Sequence, residues 1–210
     1  MKPEAMDKPL NGKTSFVRRP ARERLLAAAE ELFYQDGVHS VGIDRVIERA
    51  GVAKASLYGN FNGKDDLVRA YLDARFEARR AAIETKLALH EAPRDKMLAV
   101  FDAMTEPLAN PNYRGCAFLR ATAEMPADAS GRVVCRDARR WTRELLSGLA
   151  KEAGASNPDV LAKQLVLLYD GAAASAQMDR DPAAAAEARA AAVLLIDAAC
   201  AKRVGSRSAT

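Results

Sequence analysis

The feature that most constrains the fold of this chain is that no stretch alternates apolar and polar residues over β-branched types. Such alternation is typical of half-buried strands, so the sequence gives no reason to expect a sheet. Apolar residues recur instead at the one-face spacing of an amphipathic helix, as they do from Leu25 to Phe33. Alanine, the strongest helix former, is also abundant. We therefore predict an all-α protein.

Proline and glycine divide the chain into about nine predicted helices, because both residues interrupt helical periodicity. The first lies between Pro20 and Gly37. The others are predicted over 43–50, 54–60, 64–89, 94–108, 116–125, 131–153, 158–179 and 183–202. The polar ends, 1–17 and 203–210, are expected to be flexible tails.

Composition excludes several classes of protein. An apolar fraction of 49% over 210 residues can fill a core. No apolar run reaches the roughly 20 residues that span a bilayer, and the polar start lacks a signal-type apolar segment, so we expect a cytoplasmic protein. The 3 cysteines are far apart and there are only 2 histidines, which argues against a disulfide framework, a metal site or a cofactor. No nucleophile is paired with a base, so an enzyme is not predicted.

Residues 43–61 have the spacing of a helix-turn-helix. Two short helices flank a turn at Gly51-Val52-Ala53, where Gly51 can adopt the left-handed conformation that ends a helix. Apolar residues form the inner face of each helix. The outward residues of the second helix are small, polar or cationic, as entry into a DNA major groove requires. They are Lys54, Ala55, Ser56, Tyr58 and Asn60.

The distribution of charge supports nucleic acid as the partner. The net charge is only +4, but the first 80 residues hold 15 basic and 12 acidic residues and so contain most of the excess. A basic arm before a helix-turn-helix can contact the DNA backbone. To the outward residues we therefore add Arg18, Arg19, Arg22 and, within the unit, Arg45. Two alternatives stay open: a helical adaptor that never contacts DNA, and a helical enzyme.

Residues 21–67 resemble the DNA-binding region of TetR-family transcriptional regulators. The shared pattern is an Ala-Gly-Val turn at 50–52, the Leu-Tyr-x-x-Phe run at 57–61 and the Lys-Asp-Asp-Leu opening of the next helix at 64–67. The resemblance implies that Lys54, Ser56 and Tyr58 contact phosphate or bases and that Lys64 contacts the backbone. Two positions depart from the family pattern. Gly42 replaces a capping Ser or Thr, and Asn60 stands where a histidine is frequent.

The resemblance also implies the organisation of the whole chain. We expect a helix-turn-helix domain over 18–63 and a helical ligand-binding and dimerisation domain over 64–202, with 64–89 as the linking helix. Such a protein binds a near-palindromic double-stranded DNA operator as a homodimer, and we predict a repressor that a small-molecule inducer releases. The last two helices, about 158–202, are the expected dimer interface. Their apolar stripes, 160–172 and 188–199, could alternatively pack inside one subunit.

A ligand pocket would lie among the middle helices, although the same residues could simply form core. The candidate lining residues are Met97, Phe101, Met104, Phe118, Leu119, Met125, Trp141 and Tyr169. Cys116 belongs with them, because a helix that begins near residue 116 would favour its thiolate and Arg114 would favour it further. This gives a further functional alternative, a thiol-based redox or electrophile sensor. The structural alternative is that Cys116 is only a small buried residue of the core.

Overall fold

The computed structural model describes residues 19–201, and within this range every regular element is an α-helix. Arg18 and the predicted tails, 1–17 and 203–210, lie outside the described residues. None of the helices between Arg19 and Ala201 combines the length and apolarity needed to cross a bilayer. The helices are α1 (Ala21–Asp36), α2 (Ile43–Ala50), α3 (Lys54–Tyr58), α4 (Lys64–Leu87), α5 (Pro93–Asp102), α6 (Thr105–Ala109), α7 (Ala117–Glu124), α8 (Gly131–Glu152), α9 (Pro158–Asp179) and α10 (Ala184–Cys200).

The predicted all-α fold of about nine helices is confirmed, with one refinement. The helix predicted over 94–108 is divided into α5 and the five-residue α6. At the division the Met104 N–H donates to the Phe101 carbonyl oxygen at 2.9 Å, so the chain tightens into a turn. Pro107 follows in the first turn of α6, the position where a residue without an N–H is tolerated.

The first hydrophobic core lies between α1, α2, α3 and the helices that pack on them. Leu25 and Phe33 of α1, Val46 of α2 and Leu57 of α3 are all buried in one cluster with residues from the first half of α4. The ring of Phe33 meets Tyr71 of α4 edge-on, with ring centroids 5.7 Å apart. The same core also takes in residues of α7 and of the start of α8, namely Ala117, Phe118, Ala121, Val134, Cys135 and Ala138. The helix-turn-helix unit therefore shares its core with α7 and the start of α8 as well as with α4. The domain boundary at 63/64 stays a prediction.

A second core joins α5, the C-terminal half of α8, α9 and α10. Phe101, Leu146, Leu165 and Ile196 are completely buried in it. Most of the apolar stripe predicted for dimerisation lies in this core: Leu161, Leu165, Ala172, Ala188, Ala192 and Ile196. The structure thus supports the alternative that these stripes pack inside one subunit, because α9 contacts both α8 and α10 while α10 contacts α5.

Candidate nucleic-acid interface and internal cavity

The turn between α2 and α3 is held by its own backbone. Gly51 adopts a left-handed conformation, with φ 59° and ψ 45°. Its N–H donates to the Glu48 carbonyl oxygen at 3.0 Å, and the next N–H, of Val52, donates to the Ile47 oxygen at 3.3 Å. These two bonds form a Schellman motif, which satisfies helix-end carbonyls and reverses the chain. The predicted role of Gly51 thus has a geometric basis.

Arg24 of α1 supports this turn from the side. Its Nη1 donates to the carbonyl oxygens of Ala50 at 3.1 Å and Gly51 at 2.9 Å. Arg24 follows Arg22 of the predicted basic arm closely in the sequence, but its guanidinium is engaged with the protein. Arg24 consequently ties the end of α2 and the turn before α3 to α1.

The outer face of α3 is largely exposed. Lys54, Ala55 and Tyr58 are exposed, Tyr58 by 55%, while Leu57 between them is completely buried. Ser56 is partly buried. A short helix anchored by one apolar residue therefore presents one cation, one methyl group and one phenol outward, which are groups that contact phosphates and base edges.

The predicted cations of this region are exposed and weakly paired. Lys54 lies 3.1 Å from Asp44, and Arg45 lies 2.8 Å from Asp36. The hydrogen bond from Lys54 to Asp44 raises the pKa of Lys54, so the side chain stays charged. Arg22 lies over the ring of Phe61, 5.3 Å from its centroid. Solvated ion pairs contribute little stability, so phosphate can replace these carboxylates at small cost.

Three other predicted positions differ in what they can offer DNA. α3 ends at Tyr58, earlier than the expected residue 60. Asn60 therefore lies in the following turn, and its Nδ2 donates to the Ser56 backbone oxygen at 2.7 Å. Lys64 is partly buried, its Nζ donates to the His39 oxygen at 3.1 Å, and burial lowers its pKa. Arg19 is exposed just before α1.

A cavity of about 670 Å³ lies between α1, α4, α6, α7 and α9. Its volume falls in the range of small-molecule sites. Four of the residues predicted for a ligand site line it: Met104, Cys116, Phe118 and Tyr169. The polar part of the wall comes from α1 and α4, and from the loop over 110–116.

The other predicted lining residues lie elsewhere. Met97 and Phe101 are completely buried in the second core, because their face of α5 packs toward α8 and α10. Met125 is buried in the first core. Leu119 follows Phe118 on α7 and therefore points outward, with 58% of its surface exposed. Trp141 packs edge-on against Phe76 with centroids 6.0 Å apart. None of these five lines the cavity among the described residues.

Sequence reasoning missed Arg79, which lines the cavity from α4. The sequence does contain a signal for Arg79. Leu72 and Ile83 are buried apolar residues of α4, and Arg75 and Arg79 occupy the positions between them on the same face of the helix. Cations inside the buried stripe of an amphipathic helix require a structural or functional partner. Arg79, rather than Arg114, contacts the thiol: its Nη2 donates to Cys116 Sγ at 3.4 Å. A sensor role for Cys116 stays a prediction.

Tyr34 of α1 connects the cavity to the helix-turn-helix unit. Its hydroxyl donates to the Gly115 oxygen at 3.2 Å and accepts the Arg114 N–H at 3.0 Å. Its own carbonyl oxygen accepts a hydrogen bond of 2.5 Å from Arg120 of α7. The guanidinium of Arg75 stacks on its ring at 4.1 Å. The sequence alone could not reveal this contact, because Tyr34 lies about 80 residues from the loop that it holds.

The other end of α7 contacts the loop between α1 and α2. Glu124 Oε2 accepts the His39 N–H at 3.0 Å. Gly37 lies against the same carboxylate with φ 92°, and a Cβ there would lie 2.6 Å from Oε2. Since Lys64 contacts the His39 oxygen, α4 and α7 converge on one short loop beside α2.

Comparison with known proteins places this arrangement in a family. Residues 25–71, which cover α1 to the first half of α4, match the model of the bacterial regulatory proteins of the tetR family. The helix-turn-helix transcriptional regulator TtgR of Pseudomonas putida is 30% identical over 116 residues, 50% of this chain and 55% of that protein. The transcriptional activator FasR of Mycolicibacterium smegmatis is 32% identical over 99 residues, 46% of this chain and 45% of FasR. These sequence matches thus span about half of each relative.

The likeness to solved structures extends over nearly the whole chain. The crystal structure of a TetR-family transcriptional regulator from Streptomyces coelicolor superposes with a TM-score of 0.82 at 33% identity, covering 87% of this chain and 91% of that one. A TetR-type regulator from Streptomyces avermitilis gives a TM-score of 0.77 at 33% identity, covering 85% and 97%. Shared identity over both the helix-turn-helix unit and the helices behind it shows that this chain belongs to the TetR family of DNA-binding transcriptional regulators.

Proposed function

We propose that this regulator is a homodimeric repressor whose affinity for a near-palindromic operator is lowered by a small molecule bound in the cavity. The observation that carries the proposal is the hydroxyl of Tyr34, which joins the cavity loop to α1. A ligand that moves this loop acts directly on the helix that supports the turn before α3. The predicted division at residues 63/64, with α4 as the linking helix, belongs to the same proposal.

DNA contact through α3 is the first part to test. Fragments selected from genomic DNA by the purified protein would supply the operator, and fluorescence anisotropy would measure its Kd. We expect Lys54→Ala and Tyr58→Ala to weaken operator binding at least about tenfold, whereas Lys151→Ala, an exposed lysine of α8, leaves the Kd unchanged. Each phosphate contact contributes about 0.9 to the salt slope. Two copies of Lys54 in a dimer should therefore reduce the slope by roughly two.

Unchanged affinity and salt slope in both α3 variants would count against this placement of the DNA. A protein that selects no DNA fragment would favour the adaptor alternative instead.

The dimer interface that the structure supports is the outer face of α9 and α10. Along α9, positions 160, 164, 167, 171, 174 and 178 recur at heptad spacing, and Leu167 and Met178 among them are strongly exposed. On α10, Leu194 is 73% exposed. Exposed apolar side chains aligned on two adjacent helices suit a four-helix bundle between identical subunits.

This interface can be tested by Leu194→Glu. We expect the variant to sediment as a monomer at micromolar concentration, because a charge would be buried in the bundle. Leu89→Glu is the matched control, since Leu89 is 72% exposed and lies beyond the end of α4. A dimeric Leu194→Glu protein, or a control that also dissociates, would contradict this assignment.

A further inference from the structure

The guanidinium of Arg79, in the cavity wall, contacts neutral groups. Its Nη2 donates to Cys116 Sγ at 3.4 Å. The guanidinium carbon lies 4.2 Å from the centroid of Phe118 and 5.7 Å from that of Tyr169. None of the ion pairs found between residues 19 and 201 includes Arg79.

The carboxylates of the same wall are already engaged. Glu30 pairs with Arg75 at 3.4 Å, and Glu31 pairs with Arg49 at 2.7 Å. Burial alone would lower the pKa of Arg79. The electrostatic interactions with its neighbours, of which Tyr169 contributes most, outweigh burial, so the pKa of Arg79 is raised. Arg79 therefore keeps its charge at neutral pH. A partly buried cation without a counter-ion is costly, and an anion that enters the cavity would remove this cost.

The start of α7 favours an anion at the same place. Cys116 is the N-cap of this eight-residue helix, and no side chain caps it. The first amides of a helix lack internal acceptors, and the dipole makes this end positive. Gly115, Cys116, Ala117 and Phe118 all line the cavity. The positive end of α7 and the guanidinium of Arg79 thus meet at Cys116.

Most of the remaining wall is apolar. Ile83 of α4, Met104 and Leu108 face the cavity, together with Ala103 and Ala173. The hydroxyl of Tyr113 is not available to a ligand as a donor, because it donates to the Ala173 oxygen at 3.1 Å. A bound molecule would therefore place an apolar body against α4 and α6 and one charged group beside Arg79.

We propose that the cavity binds a small organic carboxylate with an apolar body, and that Arg79 holds the carboxylate. This inference rests on the proposed function, because it names the chemical class of the effector for the cavity to which that function assigns the inducer. A bidentate guanidinium–carboxylate pair would replace the weak contact with the thiol, which moves Cys116 and with it the start of α7.

The test is direct binding to the full-length protein without DNA. Two pairs of probes share a body and differ in charge: 2-naphthoate with 2-naphthamide, and octanoate with octanamide. Isothermal titration at pH 7 should show at least about tenfold tighter binding of the carboxylate in one pair or both. Arg79→Met should reduce that preference to less than about threefold, and Arg79→Lys should retain part of it.

Arg80→Met is the matched control, because Arg80 is the next residue of α4 and pairs with Glu84 at 2.9 Å on the outer surface. It should bind all four probes like the wild type. The melting temperature separates binding from a structural role: Arg79→Met should melt no lower than the wild type, because it removes a cation without a counter-ion.

Three results would overturn the inference: equal binding of amide and carboxylate, undiminished carboxylate binding by Arg79→Met, or no binding of any probe. A large fall in the melting temperature of Arg79→Met would show instead that Arg79 stabilises the folded protein. Since no DNA is present, failure here leaves the repressor proposal intact. Carboxylate binding that does not change operator affinity would instead contradict the proposed induction alone.

Discussion

Removing the hydroxyl of Tyr34 should weaken both the fold and the response to ligand. Tyr34→Phe deletes one hydrogen bond to the Gly115 oxygen and one from the Arg114 N–H, at 3.2 and 3.0 Å. Each contributes about 0.5–1.5 kcal/mol net, and the Gly115 carbonyl is left in a buried residue. The ring keeps its contact with Arg75. We therefore expect a loss of about 1–3 kcal/mol in the free energy of unfolding.

Urea unfolding at fixed protein concentration measures this loss, and the concentration must match because a dimer's stability depends on it. The control is Tyr58→Phe, whose hydroxyl is exposed and has no intramolecular hydrogen bond within the described residues, so its stability should stay within about 0.3 kcal/mol of the wild type. The two variants should also separate in function: Tyr58→Phe changes operator affinity, while Tyr34→Phe reduces the shift that a ligand causes. Wild-type stability together with a wild-type ligand response in Tyr34→Phe would refute the role of this contact.

Three further changes have defined outcomes. Gly37→Ala should cost more than about 1 kcal/mol by chemical denaturation, because its φ of 92° is unfavourable for alanine and a Cβ would press on Glu124; wild-type stability would contradict this. Gly42→Ser should raise the free energy of unfolding by a few tenths of a kcal/mol, because the N-cap of α2 is extended and open; no gain would show that the hydroxyl does not cap α2. The hydrogen bond from Arg94 lowers the pKa of Asp197. The ionised Asp197 side chain therefore stabilises the fold fully above the unfolded pKa of about 3.9, and this stabilisation is lost as pH falls through the lower folded pKa. Asp197→Asn should therefore be less stable than the wild type at pH 7 and equal to it near pH 2, and a difference that does not vary with pH would contradict this.

The helix-turn-helix was predictable because its determinants are local. The end of α2 requires a residue that accepts φ 59°, and Gly51 supplies it within a few residues of the apolar contacts that anchor α3. Leu57 is buried and Tyr58 exposed, as the helical spacing indicates. The place of Arg24 was not predictable in this way. Its target carbonyls lie 26 and 27 residues away, and a basic side chain before such a unit equally suits DNA.

The cavity was only half predictable, because apolar side chains of core and cavity obey the same periodicity. Met97 and Met104 are both buried, but only Met104 lines the cavity, since the chain turns between α5 and α6. The informative residue was a charged one. Arg79 occupies a buried position in the stripe of α4, and a cation there is unfavourable unless something compensates it.

The arrangement of α7 provides the route by which the proposed effector would change DNA binding without unfolding the protein. Its first residues line the cavity and its last, Glu124, accepts the His39 N–H beside α2. Eight residues of helix span about 12 Å and move as one body. A switch needs a difference of only a few kcal/mol between the two states. The contacts that α7 and its preceding loop make with Tyr34 and His39 are hydrogen bonds worth about 1 kcal/mol each, so a ligand that shifts α7 slightly can exchange several of them. Phe118 and Ala121 hold α7 in the first core, which limits the shift to one that this core can accommodate.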